Sequence, residues 1–299
     1  MKLIDFIFAA RPMLLLPVWS IYLVTVKSVD ENQQADMAMM LPLIAVTLIV
    51  IGGYYLNQIY DYESDRINRK LGFLQSGMIG RSEMMAAYLA ATLTGLIIGF
   101  YSGFQIGLIN ISQVILAAIY SLPPFRLKDR PYLGLAANIL GYGIILPLLP
   151  PTFWENFETA RLVIPAYFGL TVAAEFLLTI IPDREGDKKT GKTTLSVIFS
   201  NRILILSGAI CFAAAVWLAG IAGLKSLTFI SLTALILYLT TLLAPREGLI
   251  LFVCKFPILL ITLLAGYYFP AYLVFIVVLL LTTRLYYKKR LKKTYPRLN

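Results

Sequence analysis

Asn57-Gln58-Ile59-Tyr60-Asp61-Tyr62-Glu63-Ser64-Asp65-Arg66 closes an apolar run of membrane-spanning length with a cluster of carboxylates. On a helix, Asn57, Asp61 and Asp65 fall four residues apart and share one stripe, with Glu63 off it. Carboxylates at that spacing repel by roughly 0.3 kcal/mol unless a cation sits between them. A second stretch, Asp183-Arg184-Glu185-Gly186-Asp187-Lys188, repeats the order Asp-x-Glu-x-Asp-basic after another apolar run. Two such cassettes, far apart in the chain, predict one shared site.

The rest of the chain explains where that site lies. With 299 residues, 59% of them hydrophobic and 14% charged, and a mean hydropathy of +0.78, it carries more apolar surface than a soluble fold of this size buries. The sequence therefore predicts an integral, multi-pass membrane protein. There is no histidine, and the only two cysteines, Cys211 and Cys254, lie inside apolar runs. Histidine catalysis, histidine metal ligation and a disulfide scaffold are excluded. The formal charge of +10 would point to nucleic acid in a soluble chain, but the basic residues sit in loops between apolar runs and in the tail, so it reads as membrane topology with no nucleic-acid partner. Residues 1–13, with Asp5 and Arg11, read as a retained amphipathic lead-in to the first span.

Ten apolar segments are predicted, near 12–27, 37–60, 84–103, 106–121, 132–150, 162–181, 203–223, 226–243, 249–268 and 270–287. Only the turn at Phe269-Pro270 divides the last two, so nine or ten helices are expected. With ten spans and the N-terminus inside, 22 of the 26 Lys and Arg fall on one side, which makes that side, and both cassettes with it, cytoplasmic. The plasma membrane of a prokaryote is the expected location. The expectation is an all-α, polytopic membrane helical bundle of nine or ten transmembrane helices with two pseudo-repeated halves, one domain over residues 1–299.

A carboxylate near hydrocarbon is costly, so an acidic cluster at a span end marks function. Asp61, Asp65, Asp183 and Asp187, with the Asn57 amide, form an all-oxygen, hard donor set that suits Mg²⁺. Such an ion takes one or two carboxylates and completes its shell with water and substrate phosphate, so a phosphate-bearing substrate follows. Arg66, Lys70, Lys188 and Lys192 stand beside the cassettes as phosphate-binding cations. A diphosphate at the mouth of an apolar bundle implies a lipid tail inside it, the shape of a prenyl diphosphate donor. Tyr54, Tyr55, Tyr120 and Phe176 are candidate walls for the allylic cation left when diphosphate departs. Glu175 would share a face with Thr179 and Asp183 if the helix ran on through Pro182. It could then take a proton from the prenylated acceptor or pair with a buried Arg, while Lys255 either snorkels or pairs with Glu175. Two other classes suit parts of this pattern: a transporter built from repeated halves, and a CDP-alcohol-type phosphotransferase, whose Asp-Gly-x-x-Ala-Arg start this chain lacks.

The residues resemble one family. Asn57-x-x-x-Asp61-x-x-x-Asp65 followed by Arg66-Ile67-Asn68 is similar to the first signature of the UbiA superfamily of intramembrane prenyltransferases, and Asp183-x-x-x-Asp187 followed by Gly191-Lys192-Thr193-Thr194-Leu195-Ser196-Val197 to its second. Tyr120-Ser121-Leu122-Pro123-Pro124-Phe125-Arg126-Leu127-Lys128 resembles the loop between them, and Arg11-Pro12 the opening of the first helix. The resemblance implies a helical bundle around a lipid-open cavity, two Mg²⁺ ions held through both aspartate signatures, and transfer of a prenyl group from its diphosphate to a lipophilic or aromatic acceptor. It also implies that Arg11, Tyr120, Arg126 and Lys128 line the diphosphate or the mouth of the site. Gly72-Phe73-Leu74 stands where many members with aromatic acceptors carry Arg-Pro-Leu, and Thr179 where members often carry Tyr or Lys. These departures predict a larger, more apolar acceptor than 4-hydroxybenzoate.

Overall fold

The computed structural model describes residues 2–67, 72–155, 157–292 and 295; Asn68 of the first signature and Lys70 lie outside them. Among the described residues, ten helical segments are long and apolar enough to cross a membrane, at the places expected from the sequence and with the tenth present. A short helix α1 (Lys2–Ala9) leads into α2 (Leu16–Val29) through a break at Arg11, whose backbone is left-handed at φ 53°. The order continues with α3 (Met37–Tyr60), the six-residue α4 (Tyr62–Ile67), α5 (Arg81–Ser102), α6 (Phe104–Ser121) and α7 (Pro131–Asn138), which runs on as a π-helical turn over Ile139–Ile145. The second half follows with α8 (Val163–Thr179), the six-residue α9 (Arg184–Lys189), α10 (Leu195–Ile198), α11 (Asn201–Ile221) and α12 (Lys225–Leu243). Then come α13 (Glu247–Tyr268) and α14 (Pro270–Leu291).

The repeat is visible in the packing. In the first half α3 lies along α5, and α5 pairs with α6; in the second, α8 lies along α11, and α11 pairs with α12. Each long helix that ends in a cassette is followed by a one-turn-and-a-half helix carrying its acidic residues. Small residues permit the close approaches: a Cβ on Gly95 of α5 would stand 2.8 Å from the Ala45 carbonyl of α3, and one on Gly143 would stand 2.5 Å from the Gly169 Cα of α8. The second contact presses the π-turn, an irregularity common near functional sites, against the helix that leads to Asp183.

Three apolar cores hold the bundle. One surrounds α2, with Trp19, Tyr22, Tyr167 and Phe168 buried; one fills the second half around Phe212 and Tyr238; the third lies by the first cassette around Phe8, Tyr55, Phe73 and Met84. The third joins the two ends of the chain. Asp5 of α1 is buried and accepts from the Tyr286 hydroxyl at 2.5 Å and from Arg290 Nη2 at 2.9 Å, while Phe8 stacks on Tyr286 with ring centroids 3.9 Å apart.

Two expectations need correction. α8 stops at Thr179, because Pro182 has no N–H to give and restricts the residue before it, so Glu175 and Thr179 do not continue as one stripe into Asp183. The Thr179 hydroxyl turns back to the Phe176 carbonyl at 2.8 Å. Among the described residues no ion pair joins Lys255 to Glu175. Lys255 is exposed, and both Glu175 carboxylate oxygens are buried without a hydrogen-bond partner.

Candidate active site

The first cassette keeps its stripe. The Asp61 N–H donates to the Asn57 carbonyl at 2.8 Å and the Asp65 N–H to the Asp61 carbonyl at 2.8 Å, so the four-residue register passes from α3 into α4 although Asp61 itself departs from helical geometry. The Asp61 side chain then meets the loop after α6. Lys128 Nζ lies 2.7 Å from its Oδ1 and Arg126 Nη2 3.7 Å from the same oxygen. With its amide oriented to suit its neighbours, Asn57 donates to Asp61 Oδ2 at 3.0 Å and accepts from Lys128 Nζ at 3.1 Å. Only 8% of the Lys128 side chain and 13% of that of Asp61 are exposed. Burial lowers the Lys128 pKa below the usual lysine value, and the adjacent Asp61 carboxylate opposes that fall.

The loop is bent to make this contact. Arg126 is left-handed at φ 39°, and with Arg11 it accounts for two of the three non-glycine residues of positive φ among the described residues. Such a conformation costs a side-chain-bearing residue ~1 kcal/mol or more and tends to persist where function over-determines it. The bend starts the turn Leu127–Asp129, and Arg126 Nε donates to Asp129 Oδ2 at 2.6 Å.

The second cassette is built from one turn and a loop. The Asp187 N–H donates to the Asp183 carbonyl at 2.9 Å, the Lys192 N–H donates to the Asp187 carbonyl at 3.0 Å, and the Thr194 hydroxyl donates to Asp187 Oδ2 at 2.9 Å. Arg184 turns away from the carboxylates. Its guanidinium donates to the Ser196 carbonyl and, at 2.8 Å, to that of Phe199, which pins the Gly191–Val197 segment beside α9. Lys192 Nζ reaches across to the first half, 3.6 Å from Asp129 Oδ1.

Tyr120 lines two cavities. The first, of about 270 Å³, is lined by apolar residues of α3 and α6 together with Arg11, Tyr54, Asn57, Asn138 and Tyr142. The second, of about 140 Å³, takes in Lys128, Asp129, Phe176, Asp183, Asp187, Lys192 and Thr194. Of the residues singled out from the sequence, Arg11, Asn57, Tyr54 and Tyr120 line the first; Tyr120, Lys128, Phe176, Asp183, Asp187 and Lys192 line the second; and Asp61 and Arg126 join the second through Lys128 and Asp129. Asp65 follows one turn after Asp61, on α4. Arg66 lies 4.0 Å from Glu63 and Lys188 3.8 Å from Glu185, with 67% and 50% of their side chains exposed, outside both linings. Tyr55 packs in the core and donates to the Phe6 carbonyl at 2.9 Å, and Glu175, Gly72 and Thr179 line neither cavity.

The sequence reading missed Asp129, Thr194, Arg184, Asn138 and Tyr142. A lone amide inside an apolar span is itself a signal, and it was available for Asn138, which donates to the Gly134 carbonyl at 2.8 Å and to the Tyr120 hydroxyl at 3.4 Å.

With this geometry described, comparison with known proteins decides the family. The sequence pattern of the UbiA prenyltransferase family matches residues 14–247. The chain belongs to this family. It is 32% identical over 168 residues to the chloroplastic 2-acyl-4-prenylphloroglucinol 6-prenyltransferase of Humulus lupulus, a stretch covering 52% of this chain and 40% of that one. It is 31% identical over 163 residues to the digeranylgeranylglyceryl phosphate synthase of Sulfolobus acidocaldarius, covering 52% and 56%. The match thus spans about half the length of these UbiA relatives. Among solved structures, a UbiA homolog from Archaeoglobus fulgidus bound to DMAPP and Mg²⁺ superposes with a TM-score of 0.72 over 90% of this chain and 98% of that one, at 20% identity, which shows a shared fold. UbiA membership sets aside the transporter and CDP-alcohol alternatives, and the protein is an integral, multi-pass membrane protein.

Proposed function

We propose that this chain is an Mg²⁺-dependent prenyltransferase that moves a prenyl group from its diphosphate to a lipid-soluble acceptor, with the site on the cytoplasmic face of a prokaryotic plasma membrane. The observation that carries the reading is a pair of cavities that share Tyr120 in their walls, one lined largely by apolar and aromatic residues of α3 and α6, the other by Lys128, Lys192, Asp183 and Asp187. The side assignment rests on the Lys and Arg asymmetry.

The donor set fits a hard cation. Asp61, Asp65, Asp183, Asp187 and the Asn57 amide offer oxygen alone, and among the described residues no three acidic or thiol groups converge tightly enough to close a metal shell by themselves. Asp61, Asp65, Asp183, Asp187 and Asn57 would hold Mg²⁺ together with the substrate. When bound, the metal supplies neutralisation of the charge that gathers on the departing diphosphate. The chain's own cations assist: Lys128, Arg126 and Lys192 face that charge, and Arg11 lines the neighbouring cavity. In the reaction the allylic C–O bond breaks with its electron pair leaving on diphosphate, the carbon bonds to the acceptor, and the acceptor gives up a proton. Tyr54, Tyr120 and Phe176 offer ring faces to the cationic carbon. One relative described above is named for prenylating a 2-acyl-4-prenylphloroglucinol and the other for making digeranylgeranylglyceryl phosphate, both lipophilic molecules, and the largely apolar lining of the first cavity supports a lipophilic acceptor here. The geometry lends no support to the argument from Gly72 and Thr179, since neither lines a cavity.

Purified protein in detergent, given Mg²⁺, a labelled prenyl diphosphate, 4-hydroxybenzoate and a native lipid extract, should release diphosphate and label the extract, with both signals lost on chelation. No Mg²⁺-dependent release from any chain length would sink the assignment; dominant labelling of 4-hydroxybenzoate would sink the acceptor.

A further inference from the structure

A carboxylate that belongs to neither cassette sits between the two halves. Asp129, at the end of the turn after Arg126, lines the same cavity as Asp183 and Asp187, and its two oxygens face cations of different origin. Oδ2 accepts from Arg126 Nε at 2.6 Å, within its own loop; Oδ1 lies 3.6 Å from Lys192 Nζ, on the loop of the other half. Arg126 also reaches Asp61 at 3.7 Å, and the Lys192 N–H is bonded to the Asp187 carbonyl at 3.0 Å. Asp61, Arg126, Asp129, Lys192 and Asp187 thus form one chain of contacts from the first cassette to the second.

A negative charge in the wall of a cavity that takes an anion opposes the ligand by simple Coulomb repulsion, so its presence calls for a compensating task. Capping its own turn does not supply one, because the Asp129 N–H already closes that turn on the Arg126 carbonyl at 3.0 Å, leaving the side chain to the cations. We propose that Asp129 is a positioning residue that tethers the loop after α9 to the loop after α6, holding Lys192 and Arg126 at a fixed separation so that both halves present their cations to the diphosphate together. The ligand in this statement rests on the prenyl-transfer reading; the tether does not. Two cations on separate loops lose less freedom on binding when a third group already holds them.

The test uses Asp129→Asn, which keeps the shape and removes the charge, Asp129→Glu, which keeps the charge, Lys192→Ala, and the double variant Asp129→Asn/Lys192→Ala. The first readout is amide hydrogen exchange of residues 190–195 in ligand-free protein in detergent. Asp129→Asn and Lys192→Ala should each speed exchange there, the double variant should add little to either, and Asp129→Glu should stay close to the parent. The second is steady-state kinetics: Asp129→Asn should raise the KM for the prenyl diphosphate ~10-fold while kcat moves less than about twofold, the split expected when binding rather than chemistry loses support. Unchanged exchange in Asp129→Asn overturns the tether, and a raised KM alongside unchanged exchange assigns Asp129 to direct action on the ligand instead. Faster exchange with an unchanged KM overturns the presentation of the cations. If no prenyl transfer is found at all, the exchange measurements still decide the tether separately.

Discussion

Asp61 ends α3 facing two cations, Lys128 at 2.7 Å and Arg126 at 3.7 Å, whereas Asp187, one turn beyond Asp183 in the second half, accepts from the neutral Thr194 hydroxyl at 2.9 Å. The two aspartates hold different places in their cassettes, for Asp61 caps the long helix α3 while Asp187 lies on the short helix α9, where Asp65 stands in the first half. What also differs is the loop that answers each carboxylate. The loop after α6 bends through a left-handed Arg126 to aim cations at Asp61, while the segment after α9 aims a hydroxyl at Asp187 and spends its arginine, Arg184, on backbone carbonyls. The two loops thus bring different groups to their carboxylates, cations to Asp61 and a hydroxyl to Asp187.

The largest expected effect would break the comparison if the halves proved alike. Asp61→Ala and Asp187→Ala should each cut turnover ~100-fold or more, and the double variant should be little worse than either. Their stabilities should diverge. Removing Asp61 strands the buried Lys128 ammonium and should cost ~3 kcal/mol, while removing Asp187 takes an acceptor from the neutral Thr194 hydroxyl and should cost less. Unfolding in detergent, followed alongside turnover, separates the two; equal destabilisation would end the contrast.

A second measurement sharpens it through pH. Lys128 has a folded pKa below its ordinary value of 10.5, chiefly because it is buried. Between those two values the unfolded chain holds a proton that the folded chain has lost, so folding stability rises with pH across that window. Lys128→Met removes this linkage. The stability of the parent relative to Lys128→Met should therefore grow as pH approaches 10.5 from below, and a flat difference would show that burial at Lys128 is weaker than the structure indicates.

The smallest effect concerns the exposed cations. Arg66→Ala and Lys188→Ala should each raise the KM for the diphosphate about twofold at low salt with kcat unchanged, and the effect should fade as salt is added. An effect as large as that of Lys128 would mean that these side chains swing into the site.

How much of this was legible beforehand follows from the range of each interaction. The Asn57-Asp61-Asp65 stripe and the ten spans are local, set by helical period and hydropathy, and the sequence displays both. The break after Thr179 was legible too, in Pro182, and with the helix interrupted there Glu175 lines neither cavity. Asp129 was not legible: its partners lie on its own turn and 63 residues away at Lys192, and no short pattern encodes a contact that exists only once two loops from different halves are brought face to face.

The bond between Asp5 and Arg290 has a consequence for how the protein comes into being. The two residues are 285 positions apart, and the helix bearing Arg290 is the last one described. Because a chain is synthesised from its N-terminus, α1 is made before the tyrosine and arginine that secure it, which follow 281 and 285 residues after Asp5. Until α14 is in place, Asp5 lacks the Tyr286 and Arg290 side chains that satisfy it in the folded protein. Docking of α1 therefore waits for α14, and a chain halted short of α14 could assemble both cassettes while leaving α1 loose.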